Sequence, residues 1–468
     1  MSSITSQFNI DEYTQHFNVS LADKLKYGEI HTPFILIKQI FALFDPMVFT
    51  QKNKKWLDLG AGRGYFSMYL FTQLNEGLKQ IIIDEQERKD HIIQNMIYMV
   101  EIKMDHILFL KEFFGENANI FQGDFLSEPF FTNEEKKMSF DYIIGNPPYN
   151  ANGIKKVPTN TILNKKQEDG QTIWMPFLKK AISLLKSEEG QLGVIVPSIW
   201  LKPDKACMFH YLTAYKIEKI HCLTNTETNK LFKGEAQTPT CYFLLTKKET
   251  DHFIDIYDTN ENKYIHFYCK PNFPIPLFGQ HLIQKIQSFV EKAGSLFVYK
   301  TNLPNGKSTF REEANTITHP YPNIKTCILH ERGIQPHMVI NYSNISQAYA
   351  GQKKIILAHK MYGFPFLDAS GIYGISNRDN YVILRENIDE LKKIKEFLST
   401  KLILFIYEST RYRMKYLEKY AFQFIPDITK LSDFPIIIND ETIATYFEIN
   451  EKEKKYMEAL HKKNYKNI

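Results

Sequence analysis

Apolar and polar positions fall along the chain in blocks whose period switches between helical and strand spacing. Residues 33–49, PFILIKQIFALFDPMVF, carry apolar side chains at helical spacing. They predict a helix with Thr32 as N-cap and Pro33 at its first position. The next stretch predicts a short buried strand at 55–59, a glycine-rich turn at 60–64 and a helix at 65–74. Residues 96–101 read as a second strand leading into a helix at about 103–114, and 119–124 as a third. Residues 140–149 read as a fourth strand that breaks at a double proline. The segment 175–186 is amphipathic, with Pro176 in the first turn, where proline is tolerated. Residues 190–201 give a fifth strand stopping at Pro197, and 241–248 a late edge strand. Strands alternating with helices predict a mainly parallel, three-layer α/β sheet. In such sheets ligands bind beyond the carboxyl ends of the strands.

After about residue 255 the pattern changes. Residues 258–345 are rich in Asn, Pro, Tyr and Thr, with helical spacing resuming at 279–292 and 387–405. A second domain of mixed α+β type is expected over 255–435, after a first domain of 1–254. A Lys/Glu-rich solvated helix is expected within the tail 436–468. A length of 468 residues suits two or three domains. With 43% hydrophobic and 24% charged residues the composition is that of a globular protein.

The formal charge of +5 is too small to argue for a nucleic-acid partner by itself. Its placement says more: residues 251–468 hold about 29 basic and about 24 acidic side chains, which leaves the first half neutral. The five cysteines, Cys207, Cys222, Cys241, Cys269 and Cys327, are dispersed without CxxC spacing. This argues against a zinc site or a disulfide framework and fits a reducing, cytoplasmic compartment. The N-terminus lacks a basic start with an apolar run, and no stretch of roughly 18 apolar residues occurs.

Four motifs could carry chemistry. In DLGAGRG (58–64) a strand ends at Asp58, and Gly60, Gly62 and Gly64 let backbone approach a ligand before a helix begins. The spacing is not the dinucleotide fingerprint, and a tight strand-to-helix turn alone would also explain it. An acid after the second strand could accept both hydroxyls of a ribose. Asp84 and Glu101 compete for this role. Glu101 is preferred, because a helix and then the next strand follow it, and residues 75–95 then form an insertion. In QGDF (122–125), Asp124 could accept from an exocyclic amine and Phe125 could stack on a ring. Asp is also common in turns. In NPPY (146–149) two prolines stiffen the turn. The Asn146 side-chain carbonyl and the Pro147 backbone carbonyl are two fixed acceptors suited to one planar amino group. Pro148 holds the turn, and Tyr149 offers a face for stacking.

Taken together, this set resembles the gamma-class N6-adenine DNA methyltransferases of type II restriction–modification systems, within the class I (Rossmann-like) S-adenosylmethionine-dependent methyltransferases. Gly28-Glu29-Ile30-His31-Thr32-Pro33 is similar to the family's Gly-x-x-x-Thr-Pro element, and the glycine loop, ribose acid, adenine-binding Asp and NPPY follow in the family's order. NMIYMVEI (95–102) resembles its second motif and GVIVPSIWL (193–201) the strand after the catalytic one. LFKGEAQTPTCYFLLTK (231–247) resembles the segment that carries a second aromatic, best matched by Phe232. Residues 368–384 and 391–414 are similar to the closing part of a target-recognition domain.

The resemblance implies S-adenosyl-L-methionine held by Thr32, Pro33, Asp58, Gly60, Gly62, Glu101, Asp124 and Phe125, with no metal. It implies a catalytic Asn146-Pro147-Pro148-Tyr149 turn acting on an adenine flipped out of double-stranded DNA, stacked between Tyr149 and Phe232. Lys353, Lys354, Lys360, Arg378, Arg411 and Arg413 are candidates for contacts to DNA. Any nuclease is expected on a separate partner, since the motifs begin by residue 28. Other amino-group substrates remain open: a glutamine amide of a protein, or an RNA adenine. A catalytically inactive DNA-binding module is a third alternative, and Ser in place of Asn146 would have suited cytosine.

Overall fold

The computed structural model describes residues 31–132, 138–150, 172–234, 236, 238–304, 306–312, 316–329, 336–359, 365–413 and 416–464. The chain divides into two units. One comprises residues 1–257 with 266–269, the other 258–265 with 270–468.

The first unit is built on the expected parallel sheet. The fully buried β1 (Trp56–Asp58) pairs in parallel with β2 (Ile97–Glu101) on one side and β4 (Tyr142–Gly145) on the other. Beyond them lie β3 (Asn119–Gln122) and β5 (Gln191–Pro197). The sheet continues through β6 (Tyr215–Leu223), β7 (Thr240–Glu249), β8 (Phe253–Asp258) and β9 (Lys263–Tyr268), in the order β3-β2-β1-β4-β5-β7-β6-β8-β9. The chain reverses direction across the sheet between β1 and β4. A crevice opens there past the strand ends, at the topological switch point.

Helices α1 (Phe34–Phe41), α2 (Tyr65–Gly77), α3 (Glu85–His91), α4 (Met104–Phe114), α5 (Trp174–Leu184), α6 (Met208–Thr213) and α7 (Asn225–Leu231) complete the unit. The core under β1 is aromatic. Trp56 stacks on Tyr142 at 4.1 Å and on Phe49 at 5.5 Å, and Phe41 and Phe44 pack against it. Phe44 lies so close to β5 that a Cβ at Gly193 would come within 2.5 Å of its ring, which explains the glycine in that strand.

The structure corrects several of these expectations. The predicted helix over 33–49 ends at Phe41, and Pro46 starts a separate 3-10 turn (Pro46–Thr50) capped by Asp45. Pro33, not Thr32, occupies the N-cap position and supplies no side-chain cap; the Thr32 hydroxyl is used elsewhere. The strand read as an edge is internal. β7 lies between β5 and β6, antiparallel to both, and β6 escaped the sequence reading. In YKIEKIHCL the polar side chains hide a half-buried strand. Glu218 accepts from Thr246 at 2.7 Å, and Lys219 reaches the Leu43 carbonyl at 3.4 Å. The insertion at 75–95 contains α3, capped by Asp84 and anchored by Arg88. Arg88 is 4% exposed and donates to Asn75, Ile82 and Ile83.

The second unit is mixed α+β, as expected. Its strands are β10 (Tyr299–Lys300), β11 (Phe310–Arg311), β12 (Tyr321–Leu329), β13 (Pro336–Ser343), β14 (Lys354–Ala358), β15 (Phe366–Asp368), β16 (Gly374–Ile375) and β17 (Asn380–Leu384). They form two four-stranded sheets, β10-β17-β14-β15 and β11-β13-β12-β16. Helix α8 (Gln280–Ala293) precedes them. The helix predicted over 387–405 is two, α9 (Ile388–Leu398) and α10 (Lys401–Ser409), separated at Ser399-Thr400. Helix α11 (Asp440–Tyr446) leads to α12 (Glu451–Asn464). That last helix is not wholly solvated: Met457 is buried, and Glu453 is buried against Lys285 at 2.8 Å.

Candidate active site

Backbone hydrogen bonds stitch the ends of three strands together. The Ala61 N–H donates to the Val100 carbonyl, and the Gly123 N–H to the Glu101 carbonyl, both at 2.9 Å. Gly64, at φ +78°, turns the loop into α2; a Cβ there would lie 2.5 Å from Leu110. The Glu101 carboxylate is buried at this junction. It accepts from the Gly62 N–H at 2.7 Å and the Lys103 N–H at 2.8 Å. The same acid therefore fixes the glycine loop and faces the crevice. Asp84, the competing acid, caps α3 instead.

Asp124 accepts from the Leu126 N–H at 2.9 Å and from the Ser127 hydroxyl at 3.1 Å, which sets the turn after β3. The neighbouring Phe125 ring is buried against Phe177 at 5.2 Å. On the other side of β1, β4 delivers Asn146. Its Nδ2 donates to the Thr32 hydroxyl at 3.0 Å, and its Oδ1 is buried with no hydrogen-bond partner among the described residues. The Tyr149 carbonyl accepts from the Ile173 N–H at 3.1 Å. Tyr149 is half-buried, and its hydroxyl is buried and unpartnered among the described residues; burial raises the pKa and keeps the phenol protonated. Phe232 is buried at the end of α7, a helix whose start is fixed by a reciprocal Thr224–Glu227 cap.

These side chains enclose one cavity of about 470 Å³. Gly60, Gly62 and Glu101 line one part of it, and Asp124 and Phe125 another. Thr32, the whole 146–149 turn and Phe232 line the rest. Two residues expected to bind cofactor, Pro33 and Asp58, are not in its wall. Pro33 starts α1, and Asp58 lies beneath the glycine loop. Residues 28–30 of the Gly28–Pro33 element lie outside the described residues. Ile102, Lys103, His106, Tyr65 and Phe177 line the cavity without having been singled out. For His106 the signal was its place in the first turn of α4: its Nδ1 lies 3.6 Å from the Glu101 carboxylate.

Burial lifts the Asp58 carboxyl from its ordinary 3.8 to about 7, and the nearby Glu101 charge acts in the same direction. Hydrogen bonds from Ser67 and Gly60 oppose the shift without cancelling it. The fold thus favours neutral Asp58. Its contribution to stability is full below about pH 4 and is lost as pH rises through about 7. In urea unfolding at pH 5 and pH 8, Asp58→Asn is expected to lose this part of the decline. An unchanged slope would contradict the shifted carboxyl.

The basic residues considered for DNA contact separate clearly. Lys354 is fully buried and paired with Asp368 at 2.6 Å, so it cannot meet a ligand. Arg411 is held by Glu408, and Arg413 lies 3.4 Å from Glu418. Lys353 and Arg378 are exposed, and Lys360 lies outside the described residues.

None of the curated proteins compared with this chain matches it. Among solved structures, the type I restriction–modification methyltransferase subunit from Streptococcus thermophilus is 17% identical. The match covers 51% of this chain and 50% of that one, with a TM-score of 0.33. The M protein of the type I restriction enzyme EcoKI is 15% identical, over 50% of this chain and 49% of that one, with a TM-score of 0.35. The type ISP restriction–modification enzyme LlaBIII bound to DNA is 10% identical, over 76% of this chain and 33% of that one, with a TM-score of 0.44. The chain thus spans about half the length of the type I subunits it matches. Residues 48–232, which carry the glycine loop, Glu101, Asp124, the 146–149 turn and Phe232, match the Eco57I restriction-modification methylase family.

Proposed function

We propose that this chain methylates the N6 amino group of an adenine flipped out of double-stranded DNA, with S-adenosyl-L-methionine as methyl donor. The observation that carries the reading is the Asn146 Oδ1. It is a buried acceptor with no partner among the described residues, in the wall of the cavity that Glu101 also faces. A buried acceptor left empty is costly, and an amino group repays that cost. The match of residues 48–232 to a restriction-modification methylase family supports DNA as the substrate. The order of the motifs along this chain supports the gamma class.

The cavity suits the donor. Its volume is that of a small-molecule site, and the two Glu101 oxygens, each holding one backbone N–H, keep lone pairs for a pair of ribose hydroxyls. Asp124 and Phe125 would meet the donor's purine, and the glycine loop would flank the remainder. S-adenosylmethionine supplies an electrophilic methyl group on a sulfonium. The protein's part is to prepare the nucleophile. The adenine N6 lone pair is delocalised into the ring; acceptance of both amino hydrogens, by Asn146 Oδ1 and the Pro147 carbonyl, favours a pyramidal nitrogen with that pair available. Tyr149 and Phe232 would hold the flipped base, each stack contributing about 1–3 kcal/mol. Fixing it in line with the methyl group supplies much of the acceleration.

The domain assignment belongs to the same proposal. Residues 1–254 would transfer the methyl group, 255–435 would read the target, with Lys353 and Arg378 as exposed candidates, and 436–468 would form a helical tail.

The reaction is tested with labelled S-adenosylmethionine and unmethylated duplex DNA, digested to nucleosides after incubation. Label in N6-methyl-2′-deoxyadenosine is expected. Label in N4-methylcytosine, or transfer only to added RNA or protein, would overturn the assignment.

A further inference from the structure

We infer that Thr32 is a positioning residue for methyl transfer: its hydroxyl holds the Asn146 side-chain amide with Oδ1 toward the incoming amino group. The inference rests on the reading of Asn146 as the acceptor. It departs from the cofactor-binding role that the resemblance gives Thr32.

Three observations meet at this point. Thr32 does not cap α1, because Pro33 holds the N-cap position, so its hydroxyl is not spent on the helix start. That hydroxyl instead accepts from Asn146 Nδ2 at 3.0 Å, across 114 residues of chain. The other end of the same amide, Oδ1, is buried and without a partner among the described residues, and both residues line the cavity. An asparagine amide has two ends of nearly equal size and opposite polarity. Turned by 180°, it would present a donor to an amino group that is itself a donor. The Pro147 carbonyl would then be left as the sole acceptor. The Thr32 hydroxyl can accept from Nδ2 or donate to Oδ1, so it anchors the outer end of the amide in either turn; with an amino group donating from the cavity side, the turn with Nδ2 on Thr32 and Oδ1 inward is the one that satisfies both ends. Backbone stiffness at Pro147-Pro148 fixes where the asparagine sits, but not how its amide is turned. Thr32 anchors the outer end of the amide, and the donor amino group then selects Oδ1 on the cavity side.

The test compares Thr32→Val, which keeps the shape and loses the acceptor, with Thr32→Ser, which keeps the acceptor. Thr32→Val is expected to lower kcat about tenfold, with the S-adenosylmethionine dissociation constant from calorimetry within about twofold of wild type. Thr32→Ser is expected to restore most of the rate. A dissociation constant that rises while kcat holds, or a Thr32→Ser variant as slow as Thr32→Val, would overturn the inference.

A second readout needs no turnover. With 15N-asparagine labelling, the Asn146 side-chain amide signal, assigned by its loss in Asn146→Ala, is expected to move in Thr32→Val and to stay near its wild-type position in Thr32→Ser. An unmoved signal in Thr32→Val overturns the positioning role. A wild-type protein that methylates no adenine in DNA overturns the substrate instead, and the amide signal still decides the role of Thr32.

Discussion

Asn146→Ala is expected to lower kcat by about 10³-fold, the scale on which a preorganised polar group aimed at the reacting centre acts. Binding of S-adenosylmethionine is expected to remain within about twofold of wild type. The asymmetry follows from placement. The Asn146 amide is bonded to Thr32 at one end and open to the cavity at the other, and neither end touches the Glu101 junction that fixes the glycine loop. On the proposed reading, truncation removes one of two acceptors for the target amino group and leaves the Pro147 carbonyl alone. It does not disturb β4, whose register with β1 and β5 is set by backbone pairing. Single-turnover rates with duplex DNA, measured beside cofactor calorimetry, check both halves. A variant that methylates DNA at the wild-type rate would remove Asn146 from the reaction. A variant that loses cofactor affinity as steeply as rate would make it a binding residue.

Lys354→Ala is expected to destabilise the second unit by about 3–5 kcal/mol, the cost of leaving one partner of a buried ion pair uncompensated. Lys354 is fully buried; its ammonium also donates to the Gln352 carbonyl at 3.0 Å. Asp368 is nearly as buried and accepts from the Ile372 and Tyr373 N–H groups as well. Removing the lysine strands the carboxylate in the β14–β15 pair of a four-stranded sheet. Lys354→Met with Asp368→Leu removes both charges and is expected to regain most of the loss. Urea unfolding followed by a fluorophore in the second unit, which isolates that unit from the first, reads the difference. A single variant of wild-type stability would show that the pair is not buried as described.

Much of the first unit's sheet was legible because its signals are local. WLD, IYMVE and YIIG are short apolar runs that end at a glycine loop, an acid and a double proline, and they form β1, β2 and β4. Glu101 could be preferred to Asp84 because a helix and then a strand follow it, and Glu101 is the acid in the cavity wall. β6 was missed because it spends its polar side chains on partners far along the chain: Glu218 on Thr246, Lys219 on Leu43.

Long-range pairing also accounts for the other misreadings. Thr32 before Pro33 looks like a helix cap, and only the arrival of Asn146 shows where its hydroxyl goes. Lys353-Lys354 looks like a solvated basic pair. Lys353, just before β14, is exposed, while Lys354 opens that fully buried strand and pairs with Asp368. Asp58 reads as a ligand residue by its motif position. In the structure it is buried outside the cavity wall, where the Ser67 hydroxyl donates to it at 2.8 Å.

Adenine methylation at a defined DNA site is measured most directly on whole genomic DNA. Unmethylated genomic DNA is incubated with the purified protein and S-adenosylmethionine, and modified bases are mapped by single-molecule sequencing, with Asn146→Ala as the control. Modified adenines at one recurring short sequence, absent in the control, are the expected result. Cofactor binding with no modified adenine anywhere would contradict the account and direct the search to RNA or to a protein glutamine.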